Sequence, residues 1–167
     1  MTQPLWRPAY IGVGSNLDDP VKQVRQGIEA LEDLPQTSVL LKSSLYRSPP
    51  MGPQDQPDFI NAVVAVMTQL EPEALLSLML GIELAQGRDR SAERWGPRTL
   101  DLDMLAFSSV IMTTDELTLP HPGIAQRIFV LLPWMEIAPY FRVTGGTTVE
   151  QLARSLPCDD TDIQKLD

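Results

Sequence analysis

The spacing of apolar residues switches repeatedly between two periods along this chain, and that alternation limits the fold more than any single motif. Residues 9–14 form a short apolar strand that ends in Gly14, Ser15, Asn16 and Leu17. Asp19 then stands ahead of Pro20, an N-cap residue followed by a proline suited to the first helical position. Val21, Val24, Ile28 and Leu31 fall on one face of the helix that follows, and Pro35 ends that region. Residues 37–47 alternate as a strand. Residues 48–58 hold Pro49, Pro50, Pro53 and Pro57, which excludes a regular element. Residues 59–67 are nearly continuously apolar and rich in valine, the pattern of a buried central strand. Pro72 opens a second helix with Leu75, Leu78, Met79 and Ile82 inward, and Gly87 stops it. A last strand begins near Leu100. There Leu100, Leu102 and Met104 alternate with Asp101 and Asp103, and Leu105 and Phe107 extend the run.

Strand, helix, strand, strand, helix, strand is the order of a ferredoxin-like βαββαβ core. This is an α+β arrangement with helices on one face of an antiparallel sheet. Beyond it the sequence predicts a Pro-His-Pro turn at 120–122, a helix over 125–136 and a short helix over Val149–Ser155, all C-terminal additions. The tail from Pro157 is acidic and reads as loose. A single domain over 1–167 is expected, because 167 residues suit one core and no repeat or linker interrupts them.

Composition narrows the class. Hydrophobic content of 43% is that of a soluble globular protein. No apolar run approaches the ~20 residues that span a bilayer. The longest, at 128–135, contains Pro133. No signal peptide is visible at the N-terminus. Cys158 is the sole cysteine, which excludes an intrachain disulfide and suits a reducing compartment. A net charge of −9 argues against general nucleic-acid binding. The expectation is a cytoplasmic monomer acting on small molecules, with neither nucleic acid nor membrane as partner.

Against that acidic background, residues 88–98 are locally basic. Arg88, Arg90, Arg94 and Arg98 face only Asp89 and Glu93. Arginine forks grip phosphate oxygens in bidentate fashion, so the stretch reads as a dedicated anion site on a long loop. Asp101 and Asp103 follow at once. Two residues along a strand is about 6.5–7 Å, with both carboxylates on one face. Like charges so placed repel unless solvated or neutralised, and a divalent cation neutralises them. Oxygen donors without a neighbouring His or Cys favour Mg²⁺. Alone, the pair reads more readily as the polar face of a solvated strand, since short motifs of this kind often arise by chance. The flanking arginines and Trp95 favour a ligand with phosphates, a flat ring and a metal.

Five segments together carry a family resemblance. Tyr10-Ile-Gly-Val-Gly-Ser-Asn-Leu17, Ser44-Leu-Tyr-Arg-Ser-Pro-Pro50, Gly52-Pro-Gln-Asp-Gln-Pro-Asp-Phe-Ile-Asn61, the Arg-x-Gly-Pro-Arg-x-x-Asp-x-Asp block at 94–103 and Leu119-Pro-His-Pro122 occur in order. In these the chain resembles the 6-hydroxymethyl-7,8-dihydropterin pyrophosphokinases of folate biosynthesis, over residues 9–139. The resemblance implies a ferredoxin-like fold. It also implies transfer of the β,γ-pyrophosphoryl group of ATP to the pterin's hydroxymethyl oxygen, with release of AMP.

Roles follow by resemblance, position by position. Asp101 and Asp103 would hold two Mg²⁺ ions. Arg88 and Arg98 would contact the phosphates, with Arg90 less central. Glu83, Trp95, Thr118, His121 and Arg127 would complete the ATP site, although Glu83 also reads as a solvated helix residue. Ser48, Pro49, Met51, Phe59, Asn61, Trp95, Asp101 and Phe129 would form the pterin pocket. Phe59 and Phe129 are the stacking pair and Asn61 the edge reader. Without the resemblance, both phenylalanines read as core residues. No residue is an obvious general base. The chain departs from the family pattern at Leu80 (commonly Gln), Phe59 (Tyr), Ser48 (Thr) and Glu116 (Arg in some members). The competing readings are another Mg-dependent Asp-x-Asp nucleotidyl or glycosyl transferase, which would release pyrophosphate or a nucleoside diphosphate instead of AMP, and a non-catalytic ferredoxin-like binding module, which would show no Mg²⁺-dependent ATP affinity.

Overall fold

The computed structural model describes residues 4–50, 55–87, 99–156 and 163–166. Met51, Arg88, Arg90, Arg94, Trp95, Arg98 and Cys158 therefore lie outside the described residues.

The elements run β1 (Arg7–Ser15), α1 (Pro20–Glu32), β2 (Thr37–Lys42), β3 (Leu45–Ser48), β4 (Phe59–Thr68), α2 (Pro72–Ala85) and β5 (Asp101–Phe107). Two short strands, β6 (Met112–Thr113) and β7 (Thr118–Leu119), lead to a 3-10 turn at Ile124–Gln126 and α3 (Ile128–Ile137). The chain closes with β8 (Arg142–Thr144), β9 (Thr147–Thr148), α4 (Val149–Ser155) and β10 (Gln164–Leu166). The main sheet has the order β10-β3-β4-β1-β5, with β2 also paired to β4, and all its pairings are antiparallel. That is the ferredoxin-like order read from the sequence, with one strand added outside β3.

Local signals explain the boundaries. The Asp19 carboxylate accepts the N–H of Lys22 at the start of α1, and Pro20 and Pro72 open the two core helices. Gly87, with φ of 90°, follows the end of α2 in a conformation that other residues reach at a cost.

Two cores lie on opposite faces of the sheet. Ala9, Ile11 and Val13 of β1, Ile60, Ala62, Val64 and Val66 of β4, and Leu102 and Met104 of β5 point to one face. There they meet Val24, Ile28 and Leu31 of α1 and Leu75 and Met79 of α2. Truncating a fully buried Leu75 or Met79 to alanine should cost ~2–5 kcal/mol. The alternate positions Tyr10, Val63 and Leu105 meet Val130, Leu131 and Trp134 of α3 and Val149 and Ala153 of α4. The Tyr10 ring lies 5.4 Å from Trp134 and 4.7 Å from Phe141, centroid to centroid. Thus the C-terminal helices cover the second face.

Four expectations need correction. The strand expected over 37–47 is two strands. At the break the Ser43 N–H donates to the Val63 carbonyl while its hydroxyl accepts the Val63 N–H, so a side chain takes over one rung of the ladder. The helix expected over 125–136 is a 3-10 turn and a separate α-helix, divided at Arg127 (φ −117°, ψ 84°). Leu78, expected inward on α2, is only half-buried, and Leu75 and Met79 carry the contact. The tail is not loose throughout, because β10 pairs with β3 from Gln164↔Arg47 to Leu166↔Leu45.

Candidate active site

The predicted site residues of the sheet share its second face, beyond the part that packs on α3 and α4. In β1 the positions on this face after Tyr10 are Gly12 and Gly14. Gly14 pairs with Asn61 of β4 on one side and Asp101 of β5 on the other, and Gly12 pairs with Asp103. A bare backbone strip therefore separates an amide from two carboxylates. Asn61 and Asp101 stand two strand spacings apart, roughly 10 Å. The gap is close-fitting at the Asn61 side: a Cβ on Gly14 would lie 2.6 Å from the Asn61 Oδ1.

On the amide side, β3 and β4 bring Ser48, Phe59 and Asn61 together. The Asn61 Nδ2 donates to the Ser48 Oγ at 3.3 Å, and Ser48 pairs in register with Phe59. Ser48 and Asn61 are buried polar groups that satisfy one another, as burial demands. Phe59 is half-buried and belongs to neither core. Phe129 is half-buried beside the second core. Phe129 thus packs on that core, while Phe59 does not fill either one. Pro49 is exposed just beyond Ser48.

On the carboxylate side, Asp101 and Asp103 are half-exposed, while Leu102 and Met104 between and after them are buried. Strand alternation thus delivers the pair to a single face, as the spacing predicts. The Pro-His-Pro turn is tied to the same strand by the His121 N–H, which donates to the Leu105 carbonyl at 2.9 Å. The His121 Nε2 lies 3.9 Å from Asp103 Oδ1, and the Arg127 Nη1 lies 3.8 Å from Asp103 Oδ2. Both distances allow Coulomb attraction but exceed hydrogen-bond length.

The tautomer of His121 is set by its own turn. Its Nδ1 accepts the Gly123 N–H at 3.1 Å, so the ring proton of the neutral form resides on Nε2, toward Asp103. Burial, with the positive charge of Arg127, holds its pKa below the usual histidine value despite the opposing pull of Asp101. A neutral N–H donor therefore faces the carboxylates. Thr118 is half-buried in β7, two residues ahead of this turn.

Glu83 supports the pair from behind. It is 1% exposed at the end of α2, and its Oε2 accepts the Leu102 N–H at 2.8 Å. The reading of Glu83 as a solvated helix residue is thereby overturned. Among the departures from the family pattern, Leu80 is half-buried and Glu116 is exposed.

Three residues here were not singled out from the sequence. Asn16, 1% exposed, donates from Nδ2 to the Gln56 Oε1 at 2.8 Å and to the Pro57 carbonyl at 3.0 Å. It ties the β1–α1 turn to the proline-rich loop, and its sequence signals are a polar residue straight after an apolar strand and its place in the Tyr10–Leu17 segment. Gly123 lies under Arg127, where a Cβ would come within 2.9 Å of the guanidinium Nε. Glu136 joins α3 to β3, and nothing in its local sequence marks it.

In chemical terms, a hydrogen-bonding pocket at Ser48 and Asn61 adjoins two hard oxygen donors backed by a cation and an N–H donor. Those groups are chemically suited to a polar ring edge beside a cation and a polyanion, which fits a phosphoryl-type transferase on a ferredoxin-like fold. Comparison with known proteins makes the class specific. The family model for 7,8-dihydro-6-hydroxymethylpterin-pyrophosphokinase matches residues 10–139. The 2-amino-4-hydroxy-6-hydroxymethyldihydropteridine pyrophosphokinase of Pseudomonas aeruginosa is 43% identical over 89% of this chain and 91% of its own length. The protein of the same name from Haemophilus influenzae is 42% identical over 87% of this chain and 91% of its own length. A solved Plasmodium falciparum HPPK-DHPS chain superposes with a TM-score of 0.72 at 13% identity, covering 90% of this chain. This chain spans 43% of that longer one, and the likeness speaks to the fold. The chain belongs to the 7,8-dihydro-6-hydroxymethylpterin-pyrophosphokinase family.

Proposed function

We infer that this chain transfers the pyrophosphoryl group of ATP to the hydroxymethyl oxygen of 6-hydroxymethyl-7,8-dihydropterin, giving AMP and the pterin diphosphate, a step of folate biosynthesis. Family membership supports the reaction. The observation that supports its assignment to residues is the glycine strip, which puts Asn61 and the Asp101–Asp103 pair on one face of the sheet with no side chain of β1 between them.

The pterin is placed on the Asn61 side. Asn61 offers a donor and an acceptor to the ring edge, with Ser48 fixing the amide. Phe59 and Phe129 are the aromatic surfaces for the ring faces. The hydroxymethyl arm then extends over Gly14 and Gly12 toward β5. The oxygen donors of Asp101 and Asp103 fit magnesium, which when bound supplies positive charge against the triphosphate and the group in transfer. Arg127 and the Nε2 proton of His121 add fixed positive potential at the same edge. Arg88, Arg90, Trp95 and Arg98 are assigned to gripping the phosphates and sealing the site.

In the reaction the hydroxymethyl oxygen bonds to the β-phosphorus. The bond from that phosphorus to the oxygen bridging to the α-phosphorus breaks, and that oxygen departs on AMP. The hydroxyl proton is released. His121 presents a proton to the site, so it acts as a donor and not as the base. Catalysis rests on positioning and electrostatics, the usual requirement in phosphoryl transfer. Cytoplasmic location and a monomeric state complete the proposal. Among the described residues no helix is long and apolar enough to cross a membrane.

The test is incubation with Mg-ATP and the hydroxymethyldihydropterin, followed by chromatography. AMP and the pterin diphosphate in equal amounts are expected. Pyrophosphate or a nucleoside diphosphate in place of AMP would point to the other transferase class.

A further inference from the structure

We propose that Glu136 is a positioning residue for the heterocycle: from the last turn of α3 it clamps β3, and so sets where the Ser48–Asn61 pair stands relative to Phe129 at the other end of the same helix. The proposal rests on the pterin reading above.

The contacts are specific. The main-chain N–H of Ser44 donates to Glu136 Oε1 at 3.2 Å and to Oε2 at 3.0 Å. The Ser44 hydroxyl donates to Oε2 at 3.2 Å, and the Tyr46 hydroxyl to Oε1 at 2.7 Å. Lys165 of β10, the strand outside β3, places its Nζ 3.9 Å from Oε1. One carboxylate thus gathers two residues at the start of β3 and the strand beyond it.

Each contact lies in line with the pocket. Tyr46 is 8% exposed and pairs in register with Asn61. Two residues on, Ser48 receives the Asn61 amide proton. On α3, Phe129 lies seven residues before Glu136, about 10 Å along the axis. The remaining contact of α3 with the sheet is apolar, through Val130, Leu131 and Trp134. Apolar packing is non-directional and holds helix against sheet without fixing the slide along the axis. Hydrogen bonds to a charged acceptor are short, directional and about twice as strong as neutral ones. Glu136 is the group suited to fix that slide, and the separation of the pocket's two walls depends on it. The clamp's own contacts are on β3 and β10 and none is on β5; Arg127, at the N-terminal end of α3, reaches toward Asp103 through a long side chain that can absorb a small slide of the helix.

The experiment measures KM for the pterin, KM for Mg-ATP and kcat on the full chain, with melting temperature alongside. Glu136→Ala is expected to raise the pterin KM ~10-fold while ATP KM and kcat stay within ~3-fold. Tyr46→Phe should move the pterin KM in the same direction by less. Glu136→Gln, whose carbonyl oxygen still accepts one proton, should recover part of the loss. Leu152→Ala, which loosens the packing beneath α3 without touching the clamp, should lower the melting temperature and leave the pterin KM alone. If Glu136→Ala does not fold, Tyr46→Phe and Glu136→Gln decide. An unchanged pterin KM in folded variants, a parallel rise in both KM values, or an equal effect from Leu152→Ala would each overturn the proposal. A wild-type chain that forms no AMP overturns the reaction itself, and the clamp's role with it. An active wild type with unaffected variants overturns the clamp alone.

Discussion

The carboxylate of Glu83, on α2, accepts the main-chain N–H of Leu102 at 2.8 Å. Leu102 lies between Asp101 and Asp103, and β5 is the edge of the main sheet. A buried acid thus supplies, from a helix, the acceptor that a neighbouring strand would otherwise provide. It fixes the strand at the point where both site carboxylates emerge.

Replacing Glu83 separates that role from charge. Glu83→Gln keeps an acceptor for Leu102 and should stay within ~1 kcal/mol of the parent in stability. Glu83→Ala leaves a buried N–H without its acceptor and should lose ~1–3 kcal/mol. Urea denaturation measures both, and equal stability of the two variants would exclude the anchoring role.

Gly123 controls the orientation of Arg127. A methyl group there would come within 2.9 Å of Nε and 3.0 Å of Cζ, so the guanidinium must move from its place beside Asp103. The far end of an arginine shifts cheaply, so Gly123→Ala should fold normally and melt within ~2 °C of the parent. Its KM for Mg-ATP should rise several-fold, about 3- to 10-fold. Steady-state kinetics would refute this by showing an unchanged ATP KM.

The Glu136 clamp sets a pH window. Burial alone would raise the Glu136 pKa, but hydrogen bonds from Tyr46 and Ser44 and the charge of Lys165 outweigh it and hold the group below its usual 4.5. A depressed acid contributes stability above its unfolded pKa and loses it as pH falls through the folded value. The Tyr46 hydroxyl is shifted upward by burial, and further by its bond to Glu136 and that carboxylate's charge. Its contribution is full below the ordinary tyrosine value of 10.0 and is lost as pH rises beyond it. The melting-temperature difference between wild type and Glu136→Gln should therefore be flat from about pH 6 to 9 and shrink below about pH 4.5. A difference that persists undiminished to about pH 3 would contradict the assignment.

Arg88→Ala and Arg98→Ala should each reduce the rate of the chemical step more than pterin affinity, because their proposed contacts are with the transferred phosphates. Single-turnover kinetics with direct pterin titration checks this. A loss confined to pterin binding would place these arginines elsewhere.

How far the sequence foretold this molecule depends on whether each feature is local. Period-two alternation around Asp101 and Asp103 placed both carboxylates on one face, because strand geometry alone decides that. Asp19 with Pro20, and Gly87, marked helix ends for equally local reasons. The break at Ser43 was hidden, because its cause is a hydroxyl that bonds to Val63 on another strand. The tail strand was hidden for the same reason, since Gln164–Leu166 gains its order from β3. Glu136 looked like an ordinary helix acid and Glu83 was marked only by the resemblance, and the packing of α3 and α2 shows what each one holds.

The central claim is that Asp101 and Asp103 together bring the metal-bound nucleotide to the alcohol. Its most direct test is rapid-quench measurement of AMP formation by Asp101→Asn and Asp103→Asn at saturating Mg-ATP and pterin. Both variants should fold, since the pair lies half-exposed on one face of the sheet. Each should lose at least ~100-fold in the rate of AMP formation. AMP produced by either folded variant at the wild-type rate would contradict the account.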